Sequence, residues 1–564
     1  MAVTPVKDIP GIVTNARNMF EVRLKFAIAT RRRTHCMTGI SLPPTHPIMI
    51  DRSQAGLTRR IYWRKEQIGR IADLVRENKT RLFEALHADL GVNEFWAHGV
   101  ELQSVLNEAS EAIANVGSWA ASTRTATPVL NLPARSHITP QPLGVACVIS
   151  PWNYPVSLIL NPLIAAIAAG NTVVLKPSEI SGATSKLLAE LIPKYLDKRG
   201  VRVVLGAVPE TTALLAQRFD VIMYTGSSHV GKIVMAAAAK HLTPVILELG
   251  GKCPAIVADN ANITETAQRI AWAKWTLNMG QTCVSPDYVL CTEKTEEKLV
   301  AALAEAVTQF FGDEPRKSAD VSRIVNEAHT KRVAALLDDD DGILETVCGG
   351  AETVDVKACY IGPTIVRATK DAKLMEGEIF GPVLPVVRVA SLDDAILHVQ
   401  AGEKPLALYV FARDDRAVDR VLNNTSSGGA CVNDCAMHAH QHLPFGGVGH
   451  SGMGAYHGKF GFDAFSHRRA VMRKRAGRGD PALRFAPYTA SKLKWLGLIR
   501  SPNTPYVLGA AAVGALAGAG ALGYQLFAWS LEAEMYSAEQ YRYMGGVFAL
   551  FFAVLMTLFT VFDF

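Results

Sequence analysis

Val145-Ala146-Cys147-Val148-Ile149, Thr172-Val173-Val174-Leu175 and Val221-Ile222-Met223-Tyr224 decide the fold class. Each is a short apolar run rich in β-branched residues, the signature of a strand buried on both faces. Helical spacing separates them at 161–169 and 183–195. Strand, helix, strand in repetition predicts α/β architecture, a parallel sheet with helices on both faces. The alternation runs from 143 to about 445. With 564 residues the chain exceeds one ordinary core, so two or more domains are expected.

Outside that stretch the pattern changes. Ile61, Ile68, Ile71, Ala72, Leu74, Val75, Leu82 and Leu86 recur at three- and four-residue spacing, so 52–120 reads as helical. Pro128, Pro133, Pro140 and Pro142 bracket short apolar stretches and predict an extended arm or edge hairpin over 129–142. The net charge of +6 is modest, and no basic run is interleaved with aromatics, so nucleic acid is not an expected partner. Nine cysteines without a CxxC pair argue against a zinc ribbon or a disulfide scaffold and for reduced thiols. The N-terminus has no apolar run before a small-residue cleavage site, so no secretory signal is expected.

The chemistry gathers after the strands. Cys283 lies in Asn278-Met279-Gly280-Gln281-Thr282-Cys283, a turn whose backbone amides suit a thiolate nucleophile. Upstream, Glu248-Leu249-Gly250-Gly251-Lys252 sets a carboxylate beside two glycines that let backbone approach a ligand. Asn153, after strand 145–149, can donate its amide to a developing oxyanion; the alternative is an Asx turn. Lys176 and Glu179, after strand 172–175, suit ribose hydroxyls, and the carboxylate repels a 2′-phosphate, which favours NAD over NADP. Their alternative is a surface ion pair. Thr225-Gly226-Ser227-Ser228-His229-Val230-Gly231 opens a helix, where free N–H groups suit a phosphate. Glu378 and Phe380 precede a Gly-Pro turn and can hold a ribose and pack on a nicotinamide, or form an ordinary loop. Gly447-Val448-Gly449-His450-Ser451-Gly452 matches GxGxxG but follows no strand and reads as a tight loop lining a pocket. His438, His440 and His442 would share one face of a strand, yet no further ligands accompany them, so no metal is expected. Asp338 to Asp341 lacks EF-hand spacing and reads as a solvated loop.

Taken together these residues resemble the aldehyde dehydrogenase superfamily, and its class 3 branch, which includes membrane-bound fatty aldehyde dehydrogenases. The resemblance extends over Pro142 to Pro155, Pro209-Glu210-Thr211-Thr212, Lys240 to Val245, Glu403 to Tyr409 and Gly452 to Lys459, and covers about 52–475. It implies two doubly wound parallel-sheet domains and an oligomerisation arm: 52–247 for NAD with the arm near 125–142, 248–445 for catalysis, and a return through 446–475. It implies Cys283 as nucleophile, Glu248 as general base and Asn153 as oxyanion donor. Lys176 and Glu179 would hold the adenosine ribose, and Glu378 and Phe380 the nicotinamide half. Gly226, Ser227 and Gly231 would lie at the pyrophosphate. The implied reaction oxidises an aldehyde to an acid through a thiohemiacetal and an acyl-enzyme, with NAD as acceptor. An acylating enzyme using coenzyme A and an inert scaffold are the alternatives. Departures are small: Cys253 where the family often has Ser, and His450 in the glycine-rich loop.

The two ends stand apart. Residues 506–529 and 543–562 carry no charged side chain and are each long enough to cross a hydrocarbon layer of ~30 Å. They predict a C-terminal transmembrane helical hairpin. Lys492, Lys494 and Arg500 precede it, which places the enzyme domain in the cytosol. The basic segment 476–505 can lie at the membrane surface. Expected partners are membrane lipid, a lipophilic medium- to long-chain aldehyde and a second copy of the chain. The expected membrane is the endoplasmic reticulum, with lipid droplet or peroxisome as alternatives. Residues 1–51 read as irregular. Asn15 to Glu21 and Arg52 to Arg60 look like one helix interrupted by 22–51, first basic and then proline-rich. A non-native insertion such as a translated intron, beginning Val22-Arg23, fits; a regulatory or targeting loop touching anionic lipid is the rival.

Overall fold

The computed structural model describes residues 3–21, 56–128, 131–338, 342–476, 480 and 482–500. A compact unit of Met1–Ala121 and Pro140–Arg468 contains two large sheets. The first has the order Gly452–Met453, Val245–Leu249, Val221–Gly226, Val145–Ile149, Thr172–Lys176 and Val201–Val203. Every pair is parallel except Gly452–Met453 on Val245–Leu249. Residues 145–149 and 172–176 are buried throughout, which is why their sequences run apolar without alternation. Ile149 is level with both Lys176 and Tyr224, so the loops after three strands open at one edge. Helix Ser157–Ala169 is buried at every position but Leu158, as its uniformly apolar sequence requires.

The second sheet has the order Ile343–Cys348, Thr364–Ala368, Val383–Val389, Tyr288–Thr292, Pro254–Val257, Ala407–Phe411 and Gly429–Val432. Only its edge pair, Ile343–Cys348 with Thr364–Ala368, is antiparallel. The strands of the first sheet thus end at 249, apart from the short return at 452–453, and those of the second begin at 254.

A second unit comprises Ser122–Thr139 and Arg469–Phe564. Strand Thr123–Thr125 pairs antiparallel with Arg135–Pro142 there. Helix Ala490–Arg500 follows, with Leu493 70% and Trp495 61% exposed. The two apolar segments at 506–529 and 543–562 lie outside the described residues. Among the described residues no helix is long and apolar enough to cross a membrane.

The N-terminus corrects the sequence reading. The helix expected over Asn15 to Glu21 begins earlier, at Ile9, and Ile9, Val13 and Ala16 are buried with Cys147, Val174, Leu214 and Phe219. Pro10 and Gly11 mask this pattern, yet proline is tolerated in a first helical turn. Arg17 also pairs with Asp220 at 3.1 Å. Nor does one continuous helix resume at Arg52. Gly56 is left-handed at φ 73°, a 3-10 turn covers Leu57–Arg59, and the α-helix begins at Ile61. The two ends nevertheless meet. The Arg59 guanidinium lies 5.5 Å from the Phe20 ring centroid, and Met19 and Trp63 both pack on Gly200. Residues 22–51 lie outside the described residues. Because each flank is anchored by its own contacts, deleting 22–51 is expected to leave the melting temperature and specific activity unchanged or raised. Loss of folded, active enzyme on deletion would refute the insertion.

Candidate active site

The loop before Cys283 is strained and pinned. Asn278 and Met279 have φ of 55° and 49°, a conformation rare for residues with a Cβ. Side chains hold it there. Asn278 donates to the Asn153 carbonyl at 2.9 Å, and Asn153 Nδ2 donates back to the Gln281 carbonyl at 2.9 Å. Gln281 donates to the Arg323 carbonyl at 2.9 Å, and its own oxygen accepts from Val325 N–H at 3.0 Å. The buried Asn153 amide thus bridges two loops.

Cys283 Sγ faces its own N–H and that of Val284, the amide environment the sequence suggests. Burial, with Glu378 and Glu248 nearby, pushes the thiol up to about 12, so it stays protonated at neutral pH. Alkylation of the free enzyme by iodoacetamide is therefore expected to be slow at pH 7 and to rise about tenfold per pH unit into the alkaline range. A rate that plateaus near pH 7 would contradict this geometry.

Glu248 sits on strand Val245–Leu249, is 2% exposed, and finds no hydrogen-bond partner for either carboxyl oxygen. Buried carboxyls are nearly always bonded, which makes this orphaned pair of oxygens unusual. Burial raises its pKa well above the usual carboxylate range. The Gly447–Gly452 motif does not connect a strand to a helix. It turns as 3-10 at Gly449–Ser451, and Gly452 then pairs with Glu248 itself.

Lys176, Glu179, Gly226 and Ser227, expected at a dinucleotide, lie where the first sheet's loops open. Lys176, 4% exposed, pairs with Glu179 at 2.6 Å, a buried lysine at a strand end and not a solvated surface pair. Gly226 precedes the 12-residue helix Ser228–Ala239, whose N-cap Ser227 accepts from Val230 N–H at 3.4 Å. A Cβ at Gly231 would lie 2.7 Å from Leu249, so glycine there brings the helix close to the sheet. A Cβ at Gly250 would strike the Glu378 carboxylate. Phe380 has φ 49°, and its ring meets Trp152 edge-on at 5.5 Å. Burial first, then Asp287, raises Glu378 to about 8. The donor set, glycine close approaches and helix N-terminus together fit a nicotinamide dinucleotide.

Two neighbours, Arg332 and Asp287, carry no sequence signal. Arg332 donates to the Ile379 carbonyl at 2.7 Å and so clamps the Glu378 turn. Lys252 bonds Asp287 at 2.6 Å, and Asp287 accepts from Ile379 N–H at 3.1 Å. Cys253 donates to the Cys283 carbonyl at 3.3 Å, so the departure from Ser still bonds the nucleophile loop. Only tertiary packing joins these positions. The histidines are not on a strand: His438 bonds Cys431 at 3.2 Å, and His440 and His442 are in turns. Among the described residues no group of three or more ligands could hold a metal ion. Asp339 to Asp341 lie outside the described residues.

A thiol, a buried carboxyl and a dinucleotide edge on paired parallel sheets define an α/β oxidoreductase. The chain belongs to the aldehyde dehydrogenase family, whose model matches residues 57–471. Aldehyde dehydrogenase family 3 member B1 of Rattus norvegicus is 46% identical over 445 residues, 78% of this chain and 94% of the relative. Family 3 member A2 of Mus musculus is 43% identical over 445 residues, 78% of this chain and 90% of that protein. The solved structure of Staphylococcus aureus AldH in its substrate-bound state superposes with TM-score 0.76 at 39% identity, covering 79% of this chain and 96% of that one. The protein is thus an NAD(P)-dependent aldehyde dehydrogenase whose relatives place it in the class 3 branch.

Proposed function

We propose that the protein oxidises medium- and long-chain aliphatic aldehydes to carboxylic acids, uses NAD in preference to NADP, and acts as a homodimer at a membrane. The observation that carries hydrolysis over acyl transfer is the unpartnered carboxyl of Glu248 beside Cys283. A bare base near an acylated cysteine is the arrangement that activates water. The full set of Cys283, Glu248 and Asn153 also argues against an inert scaffold.

NAD, when bound, supplies the hydride acceptor. Lys176 and Glu179 would hold the adenosine ribose, and the Glu179 carboxylate disfavours a 2′-phosphate. Gly226, Ser227 and Gly231 would receive the pyrophosphate, and Glu378 and Phe380 the nicotinamide half. Cys283 releases its proton to solvent and its sulfur adds to the aldehyde carbon, forming the C–S bond of a thiohemiacetal as the carbonyl π pair moves onto oxygen. The Asn153 amide and the Cys283 N–H hold the resulting oxyanion. After oxidation, Glu248 takes a proton from water, which attacks the thioester and restores the thiol.

The domain roles proposed are 52–247 for NAD with its arm near 125–142, 248–445 for catalysis, and 446–475 returning to the first. The tail 506–564 supplies the anchor as a transmembrane hairpin, and the exposed Leu493 and Trp495 suit a membrane surface. The catalytic domain would then face the cytosol, at the endoplasmic reticulum in preference to lipid droplet or peroxisome. Deleting 501–564 is expected to move the enzyme from the carbonate-washed membrane pellet to the supernatant with its activity kept. Retention in the pellet would place the anchor elsewhere. NADH release without coenzyme A, measured in detergent over aldehydes of increasing length, tests the activity. The expected kcat/KM rises from short to medium and long chains; a strict coenzyme A requirement or a preference for short aldehydes overturns the reading.

A further inference from the structure

Glu101 is a buried carboxyl in a chain segment remote from the nucleophile. It is fully buried in the π-helical turn Ala97–Leu102, an irregularity that often marks functional sites. Its carboxylate accepts from Ser157 N–H at 2.7 Å and, more weakly, from Val156 N–H at 3.5 Å. The Ser157 hydroxyl donates to it as well. These groups open helix Ser157–Ala169, whose own N-cap residue, Val156, has no side chain able to cap. Glu101 therefore caps the helix from another element.

That helix end is also the end of the loop carrying Asn153. The loop leaves strand Val145–Ile149 and enters the helix at Ser157, so Glu101 fixes one of its two attachment points. Within it, Leu158 N–H bonds the Tyr154 carbonyl at 3.0 Å, the Tyr154 and Thr282 hydroxyls lie 2.7 Å apart, and Asn153 bonds the Gln281 carbonyl. The Tyr154 ring in turn packs on Trp96, just before the turn that bears Glu101. A continuous set of contacts thus runs from Glu101 through the helix N-terminus and Asn153 to the residues beside Cys283.

We infer that Glu101 is a positioning residue: as remote cap of helix Ser157–Ala169 it sets the placement of the Asn153 amide over the reacting carbonyl. The inference rests on Asn153 as the oxyanion donor. The test is a double-mutant cycle with Asn153→Ala, with kcat and both KM values measured. Glu101→Ala is expected to lower kcat on the order of tenfold while leaving the KM for NAD unchanged, since small misplacement at a reacting centre is costly. In the Asn153→Ala background the same change should cost less than about twofold, because its route is already gone. Losses that multiply overturn the inference, as does a raised KM for NAD in place of a lowered kcat. Full kcat in Asn153→Ala alone overturns instead the reading of Asn153. Should Glu101→Ala not fold, Glu101→Gln keeps one acceptor oxygen. It should lose kcat about threefold in the wild type and nothing further with Asn153→Ala; an unchanged kcat in Glu101→Gln would then also overturn the inference.

Discussion

Cys283→Ala is expected to abolish aldehyde-dependent NAD reduction, a loss of roughly 10⁴-fold or more, because no other group can form the thiohemiacetal. Cofactor binding should survive, with the NAD dissociation constant within about twofold of the wild type by fluorescence titration. The reason is spatial. Lys176, Glu179, Ser227 and Gly231 belong to the first sheet and its loops, whereas Cys283 is on the loop that precedes strand Tyr288–Thr292 of the second. Cys253 is the thiol nearest in the bonding pattern, but it is fully buried and its sulfur is engaged with Ala407 N–H and the Cys283 carbonyl. It cannot substitute. Measurable turnover in Cys283→Ala would remove the covalent mechanism altogether.

Glu248→Gln is expected to separate the two halves of the reaction. Thiohemiacetal formation and oxidation do not need the carboxylate, so one equivalent of NADH per subunit should appear as a burst. Hydrolysis needs it, so steady turnover should fall by about 10²- to 10⁴-fold. The trapped acyl-enzyme would be read by mass as an adduct on Cys283. The pH dependence carries a sign. Burial holds Glu248 protonated well above the usual carboxylate range, so the base form grows as pH rises. Wild-type deacylation should accordingly speed up toward alkaline pH, and the residual rate of Glu248→Gln should lack that limb. Turnover at the wild-type level without a burst would assign the base to another group.

Much of this framework is legible in the linear chain. Strands 145–149, 172–176 and 221–226 are legible because a strand buried on both faces must be apolar at nearly every position, and that leaves an unbroken run. Cys283, Glu248, Asn153, Lys176, Glu378 and Phe380 are legible because each stands by a glycine, a proline or a strand end that marks where backbone turns toward a crevice. The N-terminal helix is legible only over Asn15 to Glu21; its start at Ile9 is not, because Pro10 and Gly11 interrupt the pattern and its partners lie more than a hundred residues away.

What the sequence determined by itself was the fold class, the family and the residue types of the site, because local pattern and local turn chemistry are written in adjacent positions. Tertiary structure alone decided three further things. It decided the surroundings of Cys283, since Glu378 and Glu248, which raise its pKa, come from parts of the chain far apart. It decided that Ile9–Glu21 belongs to the core, since Ile9, Val13 and Ala16 show their partners only when Val174 and Phe219 are folded against them. It decided the clamps, Arg332 on the Glu378 turn and Glu101 on the Asn153 loop, since each bonds backbone carbonyls or N–H groups of the kind nearly every residue carries. A bond from a side chain to a remote backbone leaves no pattern in the sequence of its partner, and only the folded chain brings the two within reach.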